Sequence, residues 1–219
     1  MNISNIQKSI SEPRFARYLQ SSNGSIEHSL ELYIFNCRLC EAIYTPVNIL
    51  EITLRNNFQR ILSKIYGDDW YDNIFDKLLD KEQNKISEVK TRLIDTNKIV
   101  NGNNRVSTLS LAFWVSLLGG GYENDLWRPC FYYAFPNSPK PFTRRDIARK
   151  LSRIKDLRNR IAHHEPIYNL DLEIIYKAIL EIIGWMCIDT KMWVQKNSRF
   201  YEVYATNIQL EEVKQLVNV

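Results

Sequence analysis

Residues 25–66 read SIEHSLELYIFNCRLCEAIYTPVNILEITLRNNFQRILSKIY, a stretch with no glycine and one proline, Pro46. Its second half carries apolar residues at spacings of three and four, which is typical of one face of an amphipathic helix. These residues are Ile49, Leu50, Leu54, Phe58, Ile61, Leu62 and Ile65. Pro46 lacks an amide donor and clashes with the turn before it, so we expect a break or kink at residues 44–45. The stretch predicts a fold built on helices.

The segments on either side also carry helical patterns. Ser11 and Pro13 favour the start of a short helix, as its N-cap and first-turn residues. Thr143 and Asp146 have the spacing of a capping box, which predicts a helix running to Ile161. Further helical patterns cover 73–95 (one helix or a pair), 107–118, 126–135, 172–186 and 209–216. Because no segment alternates as a strand would, we predict an all-α fold, a helical bundle with additional peripheral helices.

Length and composition favour a single domain. A chain of 219 residues can bury a substantial core, and 45% hydrophobic with 25% charged residues is typical of globular proteins. We expect one domain over residues 1–219, in which a helical core (25–186) lies between an N-terminal extension with a short helix (1–24) and C-terminal helices (187–219). The first ten residues are expected to be weakly ordered.

Charge and cysteine content limit the kinds of partner, compartment and metal site that we expect for this protein. The formal net charge of +4 tolerates an anionic partner without requiring one. No apolar run reaches transmembrane length and no signal peptide is present, so we expect a cytoplasmic protein without a membrane partner. Cys37 and Cys40 form a C-x-x-C pair with no second pair or histidine nearby. We therefore expect no metal and no cofactor, and two thiols buried as small apolar side chains.

A basic segment precedes the residues that are best suited to catalysis. Residues 144–160 carry eight lysines and arginines against two acids, Asp146 and Asp156. At its end Asn159 and His163 are four apart and share a helix face. Arg158 precedes His163 by five positions, a rotation of about 140° on an ideal helix. Arginine and histidine can therefore meet at one phosphate only through an altered last turn or a second subunit.

These residue types suit cleavage of RNA, which carries its own nucleophile, the 2′-hydroxyl. Imidazole can serve as general base or acid, and guanidinium offers forked donors that match a phosphate. A structural alternative remains open at this point. His163 and His164 can cap a helix C-terminus, where positive charge is favoured, while Arg158 pairs with Asp156, Glu165 or Glu51. Spacing alone favours that structural alternative.

The string LRNRIAHHEP at residues 157–166 resembles a known family. Its Arg-Asn-x-x-x-His spacing, from Arg158 to His163, is similar to the R-x(4–6)-H motif of the HEPN superfamily. The wider string resembles the Abi-like group, the abortive-infection proteins of the Abi-D and Abi-F type. Similar strings recur in the expected order along most of the chain, at 11–15 (SEPRF), 54–56 (LRN), 70–71 (WY), 113–118 (FWVSLL) and 135–136 (FP).

The resemblance implies an all-α HEPN-type bundle and a homodimer whose two motifs meet in one composite, metal-independent endoribonuclease site. Arg158 would hold and stabilise phosphate, His163 would act as general acid or base, and Asn159 would position it. The implied role is phage defence by abortive infection or toxin-like growth arrest. The implied partners are an RNA substrate and a small structured RNA acting as regulator or antitoxin.

Further residues are candidates for supporting or RNA-binding roles: His164, Glu165, Tyr168, Arg149, Arg153, Arg160, Glu51 and Arg55. Glu51 and Arg55 either line the floor of the site or form an ion pair that stabilises the core, and we slightly favour the ion pair. Two other functions stay open. One is a non-catalytic RNA-binding or regulatory module, and the other is a helical scaffold whose histidines only cap a helix.

Overall fold

The computed structural model describes residues 3–206, and every regular element in that range is helical. The helices are α1 (Ile3–Ile10), α2 (Glu12–Ser21), α3 (Ile26–Tyr66), α4 (Trp70–Asn73), α5 (Asp80–Asp95), α6 (Gly102–Thr108), α7 (Leu111–Ser116), α8 (Arg144–Ala162), α9 (Leu172–Met186) and α10 (Ile188–Asn197). Short 3₁₀ turns lie at Phe75–Lys77, Gly120–Tyr122 and Phe131–Ala134, a π-helical turn at Glu123–Trp127, and residues 200–206 are helical again. The all-α class predicted from the sequence is confirmed.

Helix α3 is the element on which the others pack. It begins after Ser25, whose hydroxyl accepts a hydrogen bond from the His28 amide, and it ends at Gly67. Helices α2, α7, α8 and α9 all lie against it. Of the break or kink predicted at residues 44–45, the break is wrong, since α3 runs unbroken through Pro46. The proline ring is buried, and the apolar packing along the helix offsets the roughly 3 kcal/mol that an internal proline costs.

Other boundaries depart from the sequence patterns. Residues 3–10 form α1, where a weakly ordered segment was expected over the first ten residues. The expected single helix over 107–118 divides between α6 and α7, because Leu109 and Ser110 are extended. The segment 73–95 divides around Leu79, and 126–135 contains turns in place of a regular helix. The helix predicted at 209–216 lies outside the described residues.

Helices α8 and α9 agree with the sequence. Thr143 and Asp146 form the predicted capping box at the start of α8, and α9 has the predicted bounds. The apolar face of α8 is buried against α3, α7 and α9 through Ile147, Leu151, Ile154 and Leu157. Most large aromatic side chains pack into the same core; Phe58, for example, stacks on Phe131 with ring centroids 4.0 Å apart. Among the described helices, none is long and apolar enough to cross a membrane.

Candidate functional site

The C-terminus of α8 ends in a Schellman motif formed by two histidines. His163 is the C-cap residue, and His164 follows it with φ 56°. The His164 amide donates to the Ile161 carbonyl at 3.0 Å, and the Glu165 amide donates to the Arg160 carbonyl at 2.8 Å. Glycine usually occupies the left-handed position of this motif, because a Cβ there costs about 1 kcal/mol or more. A histidine therefore holds a strained backbone conformation, and both imidazoles are exposed.

The loop after the two histidines is clamped to α3 and α2. The Asn36 side-chain oxygen accepts hydrogen bonds from the amides of Ile167 at 2.7 Å and Tyr168 at 3.3 Å. The Tyr168 hydroxyl forms a 2.8 Å hydrogen bond with the hydroxyl of Ser21. Tyr168, a candidate for a supporting or RNA-binding role, is thus held by its hydroxyl as an anchor of this loop. Asn36 is a positioning residue that the sequence did not indicate, because its partners lie more than a hundred residues away.

The histidines face two arginines that the sequence patterns had not singled out for a role. A cleft of about 290 Å³ is lined by Arg14 and Arg17 of α2 together with His163, His164 and Glu165. Within residues 3–206 neither of these guanidinium groups has an ion-pair or hydrogen-bond partner. The Glu165 carboxylate is engaged with Arg160, Nε to Oε2, at 3.5 Å. Two free guanidinium groups beside two imidazoles form an open site suited to a phosphate.

Arg158 lies outside this cleft. Its Nε is 3.6 Å from Oε2 of Glu51, while Oε1 of Glu51 accepts a hydrogen bond from the Leu111 amide at 3.1 Å. Of the three acidic partners considered from the sequence, the structure pairs Arg158 with Glu51. This carboxylate thereby links α3, the first turn of α7 and α8. Its absence from the cleft agrees with the rotation of about 140° between Arg158 and His163 on an ideal helix.

The other candidate residues are divided among separate places. Asn159 is exposed, four residues before His163, and its side chain contacts no polar partner in the described part of the chain. Arg55 is half-buried, and its Nε has no hydrogen-bond partner among the described residues. Arg149 and Arg153 line a different cleft of about 460 Å³ between α8 and α9, together with Lys150, Lys177, Ile174 and Glu181.

The expectation that both thiols of the C-x-x-C pair are buried is wrong. Cys37 is exposed and Cys40 is partly buried, because both lie toward the outer face of α3. They line a pocket of about 470 Å³ that also contains His164. Burial raises the pKa of Cys40 to about 11, and it also raises the pKa of Cys37. In residues 3–206 no cluster of three His, Cys, Asp or Glu side chains is placed to hold a metal ion.

Comparison with known proteins does not place the chain in a family. No family model matches it, and no curated protein and no solved structure is significantly similar to it.

Proposed function

We propose that this chain is a metal-independent endoribonuclease of the HEPN type, acting in phage defence by abortive infection or as a toxin. The observation that carries the proposal is the cleft in which His163 and His164 lie beside the unpaired Arg14 and Arg17. The resemblance of residues 157–166 to the Abi-like motif supports RNA cleavage as the reaction in this cleft. Capping of α8 alone needs neither a second histidine in a strained conformation nor arginines from another helix.

The proposed reaction uses the groups that line the cleft. One imidazole accepts the proton of the 2′-hydroxyl, whose oxygen then attacks the adjacent phosphorus. The other imidazole donates a proton to the leaving 5′-oxygen. The products are a 2′,3′-cyclic phosphate and a free 5′-hydroxyl. Arg14 and Arg17 bind the non-bridging phosphate oxygens and stabilise the charge that accumulates on them in the transition state.

Arg158 enters this proposal through a second copy of the chain. Within one chain it is held by Glu51 and is not in the cleft of His163. We propose a homodimer in the cytoplasm in which Arg158 of one copy reaches the phosphate beside His163 of the other, while Asn159 orients that imidazole. The proposed partners are the RNA substrate and a small structured RNA that acts as regulator or antitoxin.

A non-catalytic RNA-binding module is the second candidate, and a separate observation favours it. Four basic side chains line the cleft between α8 and α9: Arg149, Lys150, Arg153 and Lys177. Such a cleft can follow a phosphate backbone with an affinity that falls steeply as salt rises. Binding that is tight and salt-sensitive, with RNA left intact after prolonged incubation, would favour this candidate over the endoribonuclease.

The test is RNA cleavage by the purified full-length chain in the presence of EDTA. We expect His163→Ala to lower the cleavage rate by about 100-fold or more, the usual contribution of a general acid or base. Arg17→Ala is expected to weaken cleavage as well, because it removes a phosphate-binding cation. His28→Ala is the matched control, since His28 is the third histidine of the chain, is exposed, and lies outside the cleft. Equal cleavage by all four proteins would overturn the proposal.

A further inference from the structure

A second pocket shares His164 as a lining residue with the arginine-lined cleft. Its volume of about 470 Å³ falls within the range of roughly 300–1,000 Å³ that is typical of small-molecule sites. Tyr33, Cys37, Cys40 and Tyr44 of α3 line it together with His164. Because His164 also lines the cleft with Arg14 and Arg17, the two cavities adjoin at this side chain.

The walls of the two cavities differ in chemistry. The cleft is cationic, whereas the second pocket is aromatic and mostly uncharged. Burial raises the pKa of both cysteine thiols and of the Tyr18 hydroxyl, which keeps these groups neutral at physiological pH. The carboxylate among the lining residues, Glu41, forms an ion pair with Arg199, whose Nη1 lies 3.3 Å from Oε1 of Glu41.

Tyr44 is the most exposed of the three tyrosines that line this pocket. It is 54% exposed, whereas Tyr33 is partly buried and Tyr18 is buried. The Tyr18 ring is packed against Tyr33 and Tyr168, with ring centroids 5.0 and 5.5 Å away. No aromatic ring of the described residues packs against Tyr44. An exposed ring on the side of a neutral pocket can stack on a planar ligand without losing an existing contact.

We propose that this pocket binds a nucleobase, that of the single-stranded RNA nucleotide whose phosphate lies in the adjoining cleft, and that the base stacks on Tyr44. The inference rests on the proposed function insofar as the ligand is RNA. A nucleotide has a planar, uncharged base next to an anionic phosphate, and the two cavities offer these two chemistries in adjacent positions. Base stacking on an aromatic side chain tolerates any base, so Tyr44 contributes affinity at a defined nucleotide position and the pocket walls determine which base fits.

The experiment uses a fluorescently labelled, single-stranded oligonucleotide with 2′-O-methyl riboses, which lacks the nucleophile and cannot be cleaved by the proposed route. We expect Tyr44→Ala to weaken its binding, measured by fluorescence anisotropy, by about tenfold or more, as expected for the loss of one base–aromatic stack. Tyr133→Ala is the matched control, because Tyr133 is 65% exposed and lies outside both cavities. The control is expected to bind as the wild type does.

Two outcomes would overturn this inference. The first is equal affinity of the Tyr44→Ala variant and the wild type; a change in sedimentation of that variant would then assign Tyr44 to a contact between copies. The second is an absence of oligonucleotide binding by the wild type. The proposed function is tested separately by cleavage of ordinary RNA. If the wild type binds the oligonucleotide through Tyr44 but does not cleave RNA, the proposed catalysis is refuted and the proposed base-binding pocket is not.

Discussion

Replacing His164 with glycine is expected to make the protein more stable and less active. His164 has φ 56° in the Schellman motif at the end of α8. A residue with a Cβ in this conformation costs about 1–2 kcal/mol. Glycine removes that cost but loses about 0.5–1 kcal/mol through its greater freedom in the unfolded chain. The exposed imidazole contributes little packing, so the net gain is centred on about 0.75 kcal/mol within a range of about 0–1.5 kcal/mol, or roughly 2–3 °C in Tm at the centre for a chain of this size.

The same substitution removes one of the two imidazoles from the cleft. If His164 donates or accepts a proton as proposed, RNA cleavage falls by roughly 100-fold. A loss of activity together with a gain in stability cannot arise from partial unfolding. The assay therefore pairs thermal unfolding, followed by circular dichroism, with initial rates of RNA cleavage at a temperature well below both transitions.

Asn97→Gly provides the matched control. Asn97 has φ 52° after the C-terminus of α5 and makes the same pair of backbone hydrogen bonds, from its own amide to Ile94 and from the Lys98 amide to Leu93. It lies outside both cavities near α8. We expect a smaller gain in stability there, because asparagine tolerates this conformation well, and unchanged cleavage. Full activity of His164→Gly would refute the reasoning, since it would show that this histidine only caps the helix.

Two further predictions concern the positioning of the site and its acid stability. Asn36→Ala leaves two backbone amides without their acceptor, so it is expected to lower the free energy of unfolding by about 1–3 kcal/mol and to lower the rate of RNA cleavage. Asn57→Ala is the control, because Asn57 lies on the same helix and is similarly buried (7% exposed, against 5% for Asn36); it should lower stability alone. Melting curves and cleavage rates of both variants check this, and equal activity of the two would contradict it. The pKa of Glu123 is lowered by a hydrogen bond from Arg144, and that of Asp146 by one from Thr143. The stability that these two carboxylates contribute is fully present above their ordinary pKa values of 4.5 and 3.8, and it is lost as pH falls through their lower pKa values in the folded protein. Tm should therefore fall in that acidic window, and it should fall less steeply with pH in the Asp146→Asn variant. Equal dependence of Tm on pH in the variant and the wild type would contradict this prediction.

The parts of the fold that depend on local sequence could be predicted. The capping box of Thr143 and Asp146 and the apolar spacing after it define α8, because both signals act within one or two turns. The separation of Arg158 from His163 also followed from helix geometry alone. The all-α class followed from the same local periodicity, repeated along the chain.

The parts that depend on distant contacts could not be predicted. Pro46 ends no helix, because the core on which it packs is formed by segments elsewhere in the chain. The separation of α6 from α7 is stabilised by Glu51, whose carboxylate accepts from the Leu111 amide across sixty positions. In the sequence, Arg14 and Arg17 are recognisable only as two basic residues on one face of a helix. Their place beside His163 depends on how α2 packs on α3 and on the clamp that Asn36 forms.

The central claim, that the cleft at the end of α8 cuts RNA by attack of the 2′-hydroxyl, is tested most directly by the chemistry of the product ends. Wild-type protein and the His163→Ala variant would be incubated with an end-labelled single-stranded RNA in EDTA, and the new termini analysed by mass spectrometry. The account predicts a 2′,3′-cyclic phosphate and a 5′-hydroxyl from the wild type, and no such ends from the variant. A 3′-hydroxyl with a 5′-phosphate, the same products from His163→Ala, or intact RNA from the wild type would contradict it.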